Sequence, residues 1–286
     1  MPLPTVSVVA AETNSEGVQD DLRHQTFRDF EIIIASQPLP AALNQATQKA
    51  QGDFVAFLGA DQLWTPDKFE RQILALRQNP DLQWCYCDAF FSDGKTRFSE
   101  ITPLHRGNII RPLLLRNFIP SGSVLVNRTL FNALGGFDES GAYAEAEEWE
   151  LWIRIAAGHE AALVNEPLLC LPPALPATEQ QQISMKRVVE SAVARQQPHL
   201  KDLRSESLAE ICISAGNAHL RANQRDQARF HFAEALTHSP LRPDAYLSWI
   251  SSFLSSEAQQ QIRDLHNLSR QLQRSEKPTP SEKISV

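Results

Sequence analysis

Asp61 and Glu148 are the residues of this chain best placed to do chemistry. Asp61 follows the run Phe54-Val-Ala-Phe-Leu-Gly-Ala, and Glu148 lies in Glu145-Ala-Glu-Glu-Trp-Glu150, a few residues after Gly135-Gly-Phe-Asp-Glu139. Each stretch puts carboxylates beside an apolar segment, where an open α/β sheet has its binding crevice. A carboxylate there can hold a hard cation such as Mg²⁺ or Mn²⁺ together with phosphate oxygens. It can also take the proton of a hydroxyl at hydrogen-bond reach. The same acids have plain structural uses. Asp61 can cap the helix that Thr65-Pro66 opens. Glu145, Glu147, Glu148 and Glu150 all favour a helix N-terminus through its dipole.

These groups need elements to position them. Residues 5–11, 30–35 and 54–58 are short runs rich in β-branched or aromatic residues and read as buried strands; 83–91 reads as a further strand. Helices are expected over 18–25, 41–51, from Pro66 to about residue 78, over 128–134, and from the acids at 145–148 to residue 157. Residues 120–126 read as another strand entry and 165–171 as a last short strand. The alternation predicts an α/β fold with a mainly parallel sheet. Trp149 and Trp152 are three apart on a helix, a spacing that suits packing better than stacking on a ligand.

Composition narrows the function classes. The 286 residues are 42% hydrophobic and 21% charged, with a formal charge of -7. That balance fits a globular protein and argues against a nucleic-acid binder, which needs a basic face for phosphates. No apolar run approaches the roughly 20 residues of a membrane span, and the first residues lack a signal-peptide pattern, so a cytoplasmic protein is expected. Cys85, Cys87, Cys170 and Cys212 show no zinc spacing and read as reduced thiols.

Beyond residue 178 the pattern turns helical. On a 34-residue tetratricopeptide template starting at Ala209, Gly216 falls on the glycine position and Ala228 on a small position; Phe232, Ala235 and Pro240 fall on the aromatic, small and proline positions. Cys212 and His219 stand where that template prefers Trp and Tyr. One repeat cannot bury its own face, so the segment is expected to dock on the α/β part or on a protein partner. The expected organisation is an α/β domain over 1–175, a helical linker over 176–206, a tetratricopeptide-like segment over 207–268 and a disordered tail over 269–286.

From residue 5 to about 171 the order of segments resembles the family 2 glycosyltransferases, which have the GT-A fold. The matching pieces include Val6-Ser-Val-Val9, Gln25-Thr-Phe-Arg-Asp-Phe-Glu-Ile-Ile33, Asn44, Gly52-Asp-Phe-Val-Ala-Phe-Leu58, Trp64-Thr-Pro-Asp67, Tyr86-Cys-Asp88, Ser123-Val-Leu-Val126, Gly135-Gly-Phe-Asp-Glu139 and Leu151-Trp-Ile-Arg-Ile-Ala156. The resemblance implies inverting transfer of a sugar from a nucleotide diphosphate sugar to a carbohydrate acceptor, assisted by a divalent cation, Mg²⁺ or Mn²⁺. It implies Asp61 as metal ligand, Asn44 and Glu12 on the donor side, Glu148 as catalytic base, and Glu147, Trp149 and Ser123 on the acceptor side.

Three departures from the family's pattern keep a second reading open. Gly59 replaces the first acid of the family's Asp-x-Asp. Glu148 is one methylene longer than the usual base. The paired aspartates expected after residue 35 are missing, together with the edge strand that normally follows them. The alternative is therefore a catalytically impaired member that serves as a carbohydrate-binding or protein-docking scaffold.

Overall fold

A computed structural model describes residues 5–11, 22–59, 62–172, 177–195 and 200–254 of the chain. Glu12, Asp61, the first half of the helix expected over 18–25 and the expected tail lie outside the described residues. The elements in chain order are β1 (Val6–Ala11), β2 (Phe30–Ala35), α1 (Pro40–Gln48), β3 (Phe54–Leu58), β4 (Leu63–Trp64), α2 (Lys68–Gln78), β5 (Trp84–Phe91), α3 (Phe98–Ile101) and α4 (Ile110–Leu115). They continue as β6 (Leu125–Asn127), α5 (Arg128–Ala133), α6 (Glu147–Ala156), β7 (Ala162–Leu171), α7 (Glu179–Arg195), α8 (Arg204–Arg221), α9 (Arg225–His238) and α10 (Pro243–Ser251).

The strands form one seven-stranded sheet in the order β2-β1-β3-β6-β5-β7-β4. It is mixed, where the alternation pointed to a mainly parallel sheet. The pairs β1–β2, β1–β3 and β5–β7 are parallel, while β3–β6, β5–β6 and β4–β7 are antiparallel. The parallel half behaves as its sequence requires. Val6, Val8 and Val9 of β1 and Val55 and Ala56 of β3 are fully buried, as continuous apolar strands covered on both faces should be. Alternate residues feed two separate cores. Val9, Val55, Phe57, Trp84 and Tyr86 belong to one. Val8, Ala10, Ala56, Leu58, Cys85 and Cys87 belong to the other, as the two-residue period of a strand dictates.

Two strand expectations shift. β6 is only three residues long, because residues 120–123 make a turn closed by the Ser123 N–H donating to the Pro120 carbonyl at 3.0 Å, with Gly122 at φ +77°. β7 starts earlier than expected, at Ala162, and carries Pro167 opposite Asp88, where its register with β5 shifts. A proline has no N–H to give the ladder, so its strand signal is broken in mid-course.

The cores extend into the following helices. Val188, Val189, Ala192 and Val193 of α7 join the cluster that contains Trp149, Trp152 and Ile155 of α6. The chain divides into two compact units, residues 1–211 and 212–286. Within the second, a Cβ on Gly216 would lie 2.5 Å from the Phe232 ring, so only glycine lets the two helices approach there. Ala228, Phe232, Ala235 and Ala245 are fully buried. Among the described residues no helix is long and apolar enough to cross a membrane.

Candidate active site

The C-terminal ends of β1 and β3 open into a pocket of about 180 Å³, lined by Val9, Phe57, Leu58 and Gly59 from the sheet side. Pro38 and Pro40, which lead from β2 into α1, close one wall, and Ser121, Phe137, Glu147 and Glu148 close the other. This is the place where parallel strands present their loops. The floor is aromatic: Phe57 meets Phe137 edge-on at 4.8 Å and Phe131 at 5.3 Å. Gly59, two positions before Asp61 in the chain, thus lines the same pocket as Glu148.

The four acids that look alike in sequence receive different tasks. Glu145 adopts a left-handed φ of +67° that turns the chain into α6, and its carboxylate accepts from Thr178 Oγ1 at 2.8 Å. Glu147 and Glu148, in the first turn of α6, face the pocket. Glu150 points into the protein, where Arg154 grips it through Nε and Nη2 at 2.7–3.0 Å and Arg195 adds a bond at 2.7 Å.

Glu148 is half-buried, and burial pushes its carboxyl up to about 7; the Ser121 hydrogen bond pulls it down and the neighbouring Glu147 charge pushes it up. A carboxylate with that proton affinity is matched to base catalysis near neutrality. Sequence reasoning did not find the groups that hold it. Gln62 accepts from the Gly59 N–H at 3.0 Å and donates to Ser121 Oγ at 3.0 Å, leaving the Ser121 hydroxyl to donate to Glu148. Gly122 makes room for this bridge, since a Cβ there would sit 2.0 Å from Gln62 Oε1. The sequence signal was present, a polar residue after Asp61 and a Ser-Gly turn, but nothing local pairs positions 62 and 121. Replacing Gln62 by Ala removes about 0.5–1.5 kcal/mol of support. The expected result is a drop in kcat/KM of about 2–10-fold, with the pH midpoint of activity moving up because Ser121 loses its anchor. Steady-state rates across pH test this, and an unchanged profile rejects the bridge.

Three expected site residues are placed elsewhere. Asn44 spends its whole amide on the loop after α5: Nδ2 donates to the Phe137 carbonyl and to Glu139 Oε1, each at 2.8 Å, and Oδ1 accepts from the Phe137 N–H at 2.9 Å. It positions Phe137 in the pocket wall. Gly136 (φ +69°) is required beside it, because a Cβ would lie 2.4 Å from Asn44 Oδ1. Trp149 is a core residue, 2% exposed, whose indole N–H donates to the Leu113 carbonyl at 2.9 Å, so it cannot touch an acceptor. Ser123 is also fully buried, and its hydroxyl has no hydrogen-bond partner among the described residues. Its carbonyl accepts from Gln72 Nε2 at 2.7 Å. Ser121, two residues earlier, is the serine that reaches the pocket.

Comparison with known proteins gives these features a family. Residues 13–170 match the family described as glycosyltransferase like family 2. An uncharacterized protein of Mycobacterium tuberculosis (strain ATCC 25618 / H37Rv) is 31% identical over 124 residues, covering 42% of this chain and 34% of that protein. The chain thus spans about a third of the length of such curated relatives. Among solved structures, S. aureus TarS 1-349 in complex with UDP-GlcNAc superposes with a TM-score of 0.55 at 11% identity, covering 87% of this chain and 89% of that one. The mannosyltransferase PcManGT from Pyrobaculum calidifontis, in complex with GDP-Man and Mn²⁺, gives a TM-score of 0.51 at 17% identity, over 86% and 79%. At these identities the structural likeness establishes the fold.

Proposed function

The chain belongs to the glycosyltransferase-like family 2, and on that premise we propose that it moves a sugar from a nucleotide diphosphate donor to an acceptor hydroxyl with inversion. The observation that carries this reading is Glu148. It is half-buried at the C-terminal ends of β1 and β3, hydrogen-bonded by Ser121, and holds its proton to about 7. In the proposed reaction Glu148 accepts the proton of the acceptor hydroxyl as that oxygen bonds to the anomeric carbon. The bond from that carbon to the diphosphate breaks, and the electron pair leaves with the phosphate oxygen. Phe57 and Phe137 line the pocket with apolar surface, which sharpens the electrostatics of the step.

A hard cation would supply charge neutralisation for the departing diphosphate. The described residues offer a limited donor set for it. Glu147 and Glu148 are the carboxylates of the pocket, and no trio of ligand groups gathers there among the described residues. Asp61 is accordingly the residue we assign to hold Mg²⁺ or Mn²⁺, with phosphate oxygens completing the shell, a mode of binding open to such ions.

One observation favours the second reading, a member retained as a carbohydrate-binding or docking scaffold. The described pocket, at about 180 Å³, is below the roughly 300–1,000 Å³ typical of small-molecule sites. Donor binding separates the two. Saturating nucleotide diphosphate sugar with Mn²⁺, at 100 times its Kd, should stabilise the chain by about 2.7 kcal/mol, read as a thermal shift. An unchanged melting temperature across the common nucleotides overturns the transferase reading.

A further inference from the structure

The geometry points to a second metal site, of a different chemical class, in the C-terminal unit: a zinc-type centre formed by Cys212, Glu234 and His238. One ligand atom from each lies within 4.8 Å of the others. Cys212 comes from α8, while Glu234 and His238 are one turn apart on α9, so that they share a helix face. Zinc bonds of about 2.0–2.3 Å set tetrahedral ligands roughly 3.3–3.8 Å apart. Closing the trio on an ion therefore means drawing the ligand atoms together by about an ångström.

The donor set decides which metal. A thiolate and an imidazole favour Zn²⁺ and its soft neighbours over Mg²⁺ or Mn²⁺, unlike the all-oxygen environment assigned to Asp61. Thiolate and carboxylate together balance the charge of a divalent ion. Three protein ligands leave one tetrahedral position for water or an incoming group. Cys212 is 1% exposed and Glu234 and His238 are half-buried, so the sulfur forms the floor and the ion enters past the other two.

Two further observations fit a ligand centre. His231 stands one turn before Glu234 on α9, its Nδ1 3.8 Å from Glu234 Oε2, and its ring stacks on His219 of α8 at 5.1 Å and 10°. At that separation the pair makes an ion-pair approach, too long for a hydrogen bond, and it sets a further imidazole beside the carboxylate of the trio. The sequence of the hairpin points the same way. Cys212 and His219 occupy the two positions where the repeat template prefers aromatic rings, so groups able to bind metal or to brace a ligand take the place of apolar packing.

The test uses the full chain, stripped of metal by a chelator and titrated with Zn²⁺, and with Co²⁺ as a spectroscopic probe. A single Zn²⁺ should bind, and Co²⁺ should give a thiolate charge-transfer band. Cys212→Ser should abolish that band, and Cys170→Ser should leave it intact. His238→Asn, at the half-buried end of α9, should weaken zinc binding with the helical circular dichroism unchanged. Absence of zinc binding by the unaltered chain, or a band that survives Cys212→Ser, or an affinity unmoved by His238→Asn in a folded variant, overturns the site.

Discussion

Glu148→Gln is expected to lower turnover by about 10²–10⁴-fold, the contribution of a positioned general base. The amide keeps the length of the side chain and can still accept from Ser121, so the pocket that Phe57, Phe137 and Ser121 define should persist. What it loses is the ability to take a proton. In the unaltered chain kcat/KM should rise with pH and level off above about 7, where the folded carboxyl is ionised; the variant should lack that limb. Stability moves the other way. The carboxyl is raised from the ordinary 4.5 to about 7 by burial and by Glu147, so the fold disfavours its charge. That cost is absent below about 4.5, grows as pH rises to about 7, and stays constant above. Glu148→Gln should therefore melt higher than the unaltered chain at pH 8 and level with it at pH 4. Undiminished turnover, or a melting difference that does not change with pH, rejects the assignment.

Glu150→Ala is the substitution expected to cost most in stability, about 3–5 kcal/mol, because it strips one side from a buried ion pair. The Glu150 side chain is 2% exposed and that of Arg154 17%, and Arg154 also donates to the Leu134 and Gly136 carbonyls at 2.6 and 2.7 Å. Without the carboxylate its charge is left uncompensated and the Gly135-Gly136 turn loses its brace. That turn leads directly into Phe137 in the pocket wall, so donor binding should weaken along with the fold. Glu150→Gln, which retains one acceptor oxygen for the guanidinium groups, should be milder. Denaturant unfolding measures both, and a loss below 1 kcal/mol for Glu150→Ala would show that the network carries little of the stability.

Much of the scaffold was legible because its causes are local. The apolar runs of β1, β2 and β3 declare themselves within six residues. Pro40 opens α1 at its first turn, and Gly135-Gly136, both at positive φ, stop α5. The order of these segments was enough to bring out the family resemblance. The candidate site was legible only in part. Glu147 and Glu148 line the pocket, yet the identical side chains at 145 and 150 are held by Thr178 and by Arg154 with Arg195. Ser121 lines the pocket whereas Ser123, expected there, is buried, with Gly122 at positive φ between the two.

By itself, then, the sequence determined the strand and helix types, the crevice at the strand ends and the acid-bearing first turn of α6. Each of these follows from side-chain periodicity and backbone preference over a few neighbouring residues. Only the tertiary structure decided the partners. Asn44 meets Phe137 across 93 positions and Gln62 meets Ser121 across 59, contacts that exist only once both sheet ends are folded. Burial does the rest. Two equal carboxylates, at 148 and 150, diverge in chemistry because one meets a hydroxyl at a pocket wall and the other two guanidinium groups, a difference in solvation and charge that no local pattern encodes.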